Sequence, residues 1–227
     1  MDLAFFSALL SIIIINIVIS GDNAVVIAMA TLRLEPKQRK KAIFWGTFGA
    51  VGLRVALTAI AAVLLTVPYI QAVGGLLLTW IAVKLLAEDE SGEDKEAPGS
   101  MAEAIRTIII ADFLMSLDNV LAVAGASGGN LPLLIIGLIL SIPLVVWGST
   151  FLSQLMRKWP WLVGLGAGLL GFTAGEMLLK EPYLKFLTEN PIFEYLIPGL
   201  FAVGVIGIGY WKGKKKEKKE EAGRDKG

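Results

Sequence analysis

Two short polar motifs stand inside otherwise apolar stretches of this chain and carry its clearest chemistry. Residues 20–23 are Ser-Gly-Asp-Asn, and residues 116–119 are Ser-Leu-Asp-Asn. Carboxylate, amide and hydroxyl oxygens are ligands for hard or borderline cations such as Mg²⁺, Ca²⁺ and Mn²⁺, and Na⁺ also fits them. The chain has no Cys and no His. Thiolate and imidazole metal sites and His-based proton relays are therefore excluded.

The two motifs and their neighbours predict a metal site made of oxygen ligands. The candidate metal ligands are Asp22, Asn23, Asp118, Asn119, Asp112 and Asn16. Supporting roles are expected for Ser20, Gly21, Ser116 and Arg54. Asp112 and Asn16 precede the motif aspartates by six residues, which is about 9 Å along a helix and about 240° around it. They are therefore predicted to be second-tier ligands or an entry site, unless the helix breaks between them.

The depth of the two motif aspartates favours a functional role. Counted from the nearest basic residues, Arg33 and Arg106, Asp22 and Asp118 lie about 16–18 Å along their helices, close to the centre of a bilayer. An ionised carboxylate there costs at least a few kcal/mol and needs a cation, water or a charge partner. The alternative is that the polar residues are hydrogen-bonding contacts between helices, or that the aspartates are protonated. For the Ser and Asn residues taken singly, that alternative stays open.

Arg54 is predicted to lie at a similar depth in the second apolar stretch. No residue of its own stretch neutralises it, so we expect it to pair with one of the three buried acids. If Asp22, Asp112 and Asp118 are ionised, the embedded charges including Arg54 sum to about −2, which matches one divalent cation. Gly21 is expected to let its helix unwind and expose carbonyl oxygens.

The elements that position these residues are predicted to be membrane-spanning helices. Of the 227 residues, 55% are hydrophobic and 18% are charged, against about 45–50% and about 25% in soluble domains. With about 20 apolar residues per crossing, seven spans are predicted at residues 3–32, 42–66, 69–87, 103–125, 131–156, 161–180 and 193–211. The first exceeds one bilayer thickness, so it must tilt, protrude or break. The fold class is all-α and polytopic.

The chain also contains an internal repeat. Aligned with itself, it places Asp22 on Asp118, Asn23 on Asn119 and Asn16 on Asp112. A repeat of three spans gives two halves of opposite orientation, so we predict an inverted repeat of three plus three helices with one extra C-terminal helix. The resulting organisation is one transmembrane domain, 1–211, with repeats at about 3–87 and 103–180, a cytoplasmic linker at 88–102, the extra helix at 193–211 and a basic cytoplasmic tail at 212–227.

The distribution of Lys and Arg predicts the orientation. Basic residues cluster at 33–41, at 157–158 and after 211, which all lie on one side of a seven-span chain. The positive-inside rule then places the N-terminus outside and the C-terminus in the cytoplasm. The basic tail is expected to contact anionic membrane lipid, and no nucleic-acid partner is expected. Glycines 164, 168, 171 and 175 predict a small-residue packing surface.

The motifs at 20–24 and 116–120, on a seven-span chain of this length, resemble the TerC family of bacterial integral membrane proteins over about residues 3–211. The resemblance implies a bacterial cell-membrane location, a relation to LysE-type exporters and a role in Mn²⁺ efflux, including supply of manganese to enzymes outside the membrane. Asn16 opposite Asp112 departs from strict repeat symmetry and leaves the ligand count open.

We therefore expect a divalent-cation exporter with Mn²⁺ as its cargo, not an enzyme, and without a resident cofactor. No nucleotide-binding loop is present in the sequence, which argues against ATP-driven pumping by this chain. Two alternatives remain at this point. One is a non-transporting membrane scaffold or accessory subunit of a secretion or stress complex, and the other is a transporter for Ca²⁺ or Na⁺. Proton coupling and the oligomeric state are left open.

Overall fold

The computed structural model describes residues 20–64, 67–90, 100–126, 131–188 and 190–224. Within these ranges the chain forms α-helices and one 3₁₀ helix, without a β-strand, which confirms the all-α prediction. The α-helices are α1 (Gly21–Ala30), α2 (Pro36–Leu64), α3 (Ile70–Glu90), α4 (Met101–Ala126), α5 (Leu131–Lys158), α6 (Trp161–Leu179) and α7 (Pro191–Arg224). The 3₁₀ helix, Pro182–Leu187, lies between α6 and α7.

Five of the described helices are long and apolar enough to cross a membrane, namely α2, α3, α5, α6 and α7. Large apolar side chains point outward from them, among them Trp147 at 70% and Val203 at 69% exposure. In water such a surface would be unfavourable, whereas lipid covers it at no cost. The chain is therefore an integral, multi-pass membrane protein.

The helix bounds follow the predicted spans closely, with differences where charge adjoins apolar sequence. Helix α2 begins at Pro36 instead of residue 42, because Pro suits the first position of a helix. Helix α7 continues to Arg224, so most of the predicted tail, 212–227, is helical. The outer parts of the predicted linker, 88–102, belong to α3 and α4, and its middle lies outside the described residues.

The first predicted span is described only from residue 20. Helix α1 begins at Gly21 and has 10 residues, a length of about 15 Å, or half of the hydrocarbon core. Its N-terminus therefore lies at a depth near the middle of a bilayer, which is where Gly21 was predicted to let the helix unwind. Asn16 and the rest of the span lie outside the described residues.

Buried Arg39 fixes the turn between α1 and α2. Its Nε donates to the Thr31 carbonyl at 3.0 Å, and its Nη2 donates to the carbonyls of Leu32 and Leu34 at 3.0 and 2.7 Å. These carbonyls follow the last turn of α1, where helical partners run out, and the Thr31 carbonyl also accepts the backbone N–H of Leu34 at 3.2 Å. Arg39 thus anchors the end of the helix that carries Asp22.

The helices pack in two groups. Helices α3, α6 and α7 pack closely on one another, whereas α2 packs against α4 and α5, and α1 packs against α5. The groups meet mainly where α4 contacts α3 and where α1 contacts α6. Each group thus combines helices from both halves of the chain. The predicted inverted repeat stays a prediction.

Glycines bring the backbones of the first group into contact and confirm the predicted packing surface on α6. A Cβ atom added at Gly175 would lie 2.5 Å from the Cα atom of Pro198 on α7, and one added at Gly171 would lie 2.8 Å from the Phe201 carbonyl oxygen on α7. On α3, a Cβ atom at Gly75 would lie 2.5 Å from the Ala174 carbonyl oxygen. Such distances require residues without a side chain.

We expect Gly175→Ala to lower the free energy of unfolding by about 1–3 kcal/mol, because the added methyl group meets backbone that cannot move aside. Gly199→Ala is the matched control, since an added Cβ atom there meets nothing within 4 Å and Ala is favoured over Gly in a helix. Thermal unfolding in detergent measures both. Equal effects of the two substitutions would contradict the close-packed interface.

Candidate functional site

An ion pair between α2 and α4 forms the centre of the polar interior. Arg54 Nη2 lies 2.5 Å from Asp112 Oδ1. Both residues are buried, with 3% and 8% of their surfaces exposed. The prediction that Arg54 pairs with one of the three acids is confirmed, and among the described side chains that acid is Asp112.

Two serines complete this cluster, which we call the Arg54 network and define as Ser20, Arg54, Asp112 and Ser116. Arg54 Nε donates to Ser116 Oγ at 3.0 Å, and Arg54 Nη1 donates to Ser20 Oγ at 3.4 Å. Ser116 Oγ in turn donates to Asp112 Oδ2 at 3.2 Å. Both serines are buried and both were predicted to support the site. The network therefore ties the start of α1 to α2 and α4.

The network changes how Asp112 is interpreted. Each of its carboxylate oxygens already accepts a hydrogen bond, one from Arg54 and one from Ser116. A carboxylate so engaged is held in a fixed orientation and its charge is compensated. A second-tier role for Asp112 fits this geometry better than direct capture of an ion.

Asp22 and Asn23 lie beside the network in the first turn of α1. Asp22 is half-buried, and its Oδ1 accepts the backbone N–H of Asn23 at 2.8 Å. The first turn of a helix favours negative charge because its N–H groups lack helical partners. The helix start therefore contributes to stabilising the ionised form of Asp22.

The amide of Asn23 is buried without a hydrogen bond. The residue is 4% exposed, and neither Oδ1 nor Nδ2 has a partner among the described residues. Leaving such a group unpaired costs about 1–3 kcal/mol. A side chain kept in this state is a candidate for binding a polar species.

Thr47 on α2 is a second group without a hydrogen-bond partner among the described residues, and it was not predicted from the sequence. It is 2% exposed, and its Oγ1 has no partner among the described residues. Helical hydroxyls ordinarily donate to the carbonyl four residues earlier. That bond is made in this protein by Thr31, Thr58, Thr79 and Thr150. Ser153 and Gln71 also have an unpaired buried oxygen, on other helices.

The packing places Thr47 and Asn23 at similar levels. Ile27 of α1 and Ile43 of α2 belong to one apolar cluster, together with Ile108. Asn23 lies one helical turn from Ile27, and Thr47 lies one turn from Ile43, in both cases toward the Arg54 network. Helices α1 and α2 therefore each carry a buried oxygen that has no hydrogen-bond partner among the described residues, on the side of this apolar cluster that faces the Arg54 network. The only hint in the sequence was that Thr47 and Arg54 fall on one face of a helix.

The second motif is described in part. Asp118 and Asn119 lie on α4, after Asp112 and Ser116, as predicted. Asn119 is half-buried, while the side chain of Asp118 and all of Asn16 lie outside what the structure describes. Among the described side chains, no three acids come together as a metal cluster. Ligation by the two motifs therefore stays a prediction.

Glu181 is a buried acid with a structural role that was not predicted from the sequence. It is 1% exposed. Its Oε1 accepts the backbone N–H of Tyr69 at 3.1 Å, and its Oε2 accepts that of Ala72 at 3.4 Å. These N–H groups open α3, so Glu181 joins the end of α6 to the start of α3. It takes no part in the Arg54 network.

Several apolar helices around a buried charged network define a polytopic α-helical membrane protein with a polar interior, the kind of interior expected of a membrane transporter. The profile described as Integral membrane protein TerC family matches residues 1–217. The chain belongs to this family, as the resemblance of its motifs implied.

Several bacterial membrane proteins are similar to this chain. The uncharacterized membrane protein YjbE of Bacillus subtilis (strain 168) is 43% identical over 207 residues, which are 91% of this chain and 95% of that protein. The uncharacterized membrane protein YceF of the same organism is 27% identical, over 95% of this chain and 86% of its own. The UPF0053 protein YegH of Escherichia coli (strain K12) is 27% identical, over 91% of this chain and 41% of its own length. No solved structure matches the chain.

Proposed function

We propose that this protein is a transporter that exports divalent metal cations across the bacterial cell membrane, with Mn²⁺ as its cargo. The observation that carries the proposal is the buried Arg54–Asp112 pair, together with the buried oxygens of Asn23 and Thr47 that have no hydrogen-bond partner among the described residues. Charged and unpaired polar groups are costly inside a membrane protein and mark ion pathways when they are retained.

The ion pair supports a site of net negative charge. Arg54 compensates Asp112, so the charges left among the candidate ligands belong to Asp22 and Asp118. Two carboxylates balance one divalent cation, and the amides of Asn23 and Asn119 would supply neutral oxygens. In this proposal Thr47 adds a hydroxyl oxygen on the α2 side, and the Arg54 network orients α4.

Two alternatives differ in what they predict. A transporter for Ca²⁺ or Na⁺ would use the same oxygen ligands, and Mn²⁺ is preferred because of the family resemblance of the motifs. A membrane scaffold or accessory subunit would work through surface segments. A scaffold role gives no reason for burying Asn23 and Thr47 without hydrogen-bond partners among the described residues.

Flux into proteoliposomes containing the purified protein tests the proposal. Uptake of Mn²⁺, Ca²⁺, Mg²⁺ and Na⁺ is compared, each with and without a pH gradient. We expect Mn²⁺ to move fastest. No flux above that of protein-free liposomes for any ion would contradict transport, and a faster rate for Ca²⁺ or Na⁺ would contradict the assignment of the ion.

We expect Thr47→Val to slow Mn²⁺ transport about tenfold while leaving stability unchanged or slightly higher. Val has nearly the shape of Thr, and removing an unpaired buried hydroxyl relieves its desolvation cost. Thr79→Val is the control, because the Thr79 hydroxyl is already bonded to the Gly75 carbonyl. Flux and thermal unfolding are measured together. Transport at the wild-type rate by Thr47→Val would remove Thr47 from the site.

A further inference from the structure

A cleft between α3 and α4 opens at the end of the bundle where the predicted linker and the basic extension of α7 lie. Its volume is about 540 Å³, and its walls include Trp80, Lys84, Glu103, Arg106 and Thr107. This volume is within the range of about 300–1,000 Å³ that is usual for small-molecule sites. The cleft is separate from the Arg54 network, which lies deeper in the bundle.

A second hollow of about 230 Å³ extends the cleft toward α7. Trp80 and Lys84 line both cavities, and Lys212 and Lys216 border the second on its α7 side. We call the two together the basic cleft, lined by the basic residues Lys84, Arg106, Lys212 and Lys216. The acids among the described lining residues are Glu88 and Glu103, so the described part of the lining carries a net positive charge.

Lys84 is held in the wall of the basic cleft by both acids. Its Nζ lies 2.7 Å from Glu103 Oε1 and 3.6 Å from Glu88 Oε1. A lysine fixed in this way loses less side-chain entropy when it binds an anion. The acids compensate part of its charge, which leaves the exposed Arg106 as the main anchor for an anion.

The position of the cleft fits the boundary between lipid and water. The apolar span of α3 ends at Asp89, about one turn beyond Lys84. Trp80 lies one turn before Lys84 and is 59% exposed, a typical location for Trp at a membrane interface. Ile81 and Ile110 continue the wall below the charged groups. The cleft therefore has a basic rim above an apolar floor.

We propose that the basic cleft binds an anionic phospholipid, with the phosphate of the headgroup on Arg106 and Lys84 and an acyl chain along the apolar floor. Basic pockets between transmembrane helices bind lipid headgroups of this kind. The bidentate geometry of a guanidinium toward phosphate makes Arg106 the stronger contact. This inference is independent of the ion that the protein transports.

Thermal unfolding of the full chain in detergent tests the proposal. Phosphatidylglycerol is expected to raise the unfolding temperature several degrees more than phosphatidylcholine does, because binding to the folded state stabilises it. Arg106→Gln should lose this difference. Arg157→Gln should keep it, since Arg157 is exposed in the last turn of α5 and does not line the cleft.

Native mass spectrometry gives a readout that does not depend on stability. The wild type should retain phosphatidylglycerol in preference to phosphatidylcholine, and Arg106→Gln should not. Equal retention by Arg106→Gln, or equal losses in Arg106→Gln and Arg157→Gln, would overturn the proposal. So would a rise in unfolding temperature with inorganic phosphate that matches the rise with the lipid.

The acidic linker between α3 and α4 is the competing occupant of the cleft. A variant with Glu93→Gln, Asp94→Gln and Glu96→Gln separates the two cases. If lipid binds the cleft, this variant should keep the wild-type response to phosphatidylglycerol. If the variant unfolds at a lower temperature without lipid and the wild type does not respond to phosphatidylglycerol, the linker occupies the cleft and the lipid proposal fails.

Discussion

Asp22→Asn and Asp118→Asn are each expected to reduce Mn²⁺ export to the level of protein-free liposomes. Each substitution removes a negatively charged ligand and keeps the shape and much of the hydrogen bonding of the side chain. The variants should therefore insert and fold, with unfolding temperatures close to that of the wild type. The measurement is Mn²⁺ flux in proteoliposomes, with thermal unfolding in detergent as the test of folding.

Glu176→Gln is the matched control for these two variants. Glu176 is a half-buried acid on α6 outside the two motifs, and its substitution also removes one carboxylate from a spanning helix. Its export should stay near the wild-type rate. If Asp22→Asn and Asp118→Asn also transport at that rate, the motifs are contacts between helices and the proposed ion site is wrong.

Arg54→Ala is expected to cost about 3–5 kcal/mol of stability, because it leaves the buried carboxylate of Asp112 without its partner. Transport should fall with it, since the network that positions α4 is lost. Adding Asp112→Asn should recover part of the stability, with a coupling energy of about 1–3 kcal/mol, without recovering export. Double-mutant cycles by thermal unfolding in detergent measure this coupling.

The same cycle with Asp22 provides the comparison. Asp22 interacts with Arg54 electrostatically, whereas Asp112 forms a direct ion pair with it, so the coupling between Arg54→Ala and Asp22→Asn should be the smaller of the two. If the Arg54–Asp112 cycle is additive and the Arg54–Asp22 cycle is not, the partner assigned to Arg54 is wrong. Full additivity in both would mean that the pair contributes nothing to stability.

The sequence predicted the helices well because long apolar stretches and charged breaks mark membrane spans directly. Its errors lie where charge and helix overlap. The basic residues at 37–41 belong to α2, and the helix of α7 runs on beyond residue 211. Apolar periodicity ends at the membrane surface, whereas helical hydrogen bonding does not.

The candidate site was also predicted only in part from the sequence. Residue type and depth were enough to predict that Arg54 has an acidic partner, but they did not choose among the three acids. The crossing of α2 and α4 decides that Asp112 is the partner, and helix crossing is not encoded in spacing along one chain. Thr47 was missed because a Thr within a helix ordinarily bonds to its own backbone.

Arg39 has a structural role in addition to its place in the positive-inside pattern. In the sequence it counted only toward the positive-inside pattern, yet the structure buries it against three carbonyls at the end of α1. Capping of this kind depends on the path of the chain through the turn, which composition does not specify. Its charge still contributes to the predicted orientation.

The glycine contacts of α6 have a mechanical consequence. Backbones that touch at Gly175 and Gly75 leave no side chains that could change rotamer and let the helices slide. Helices α3, α6 and α7 are therefore expected to behave as a stiff frame. The Arg54 network belongs to the other helices, α1, α2 and α4, which are joined by longer side chains and a short turn. Alternating access would then be a rocking of this second group against a stationary frame.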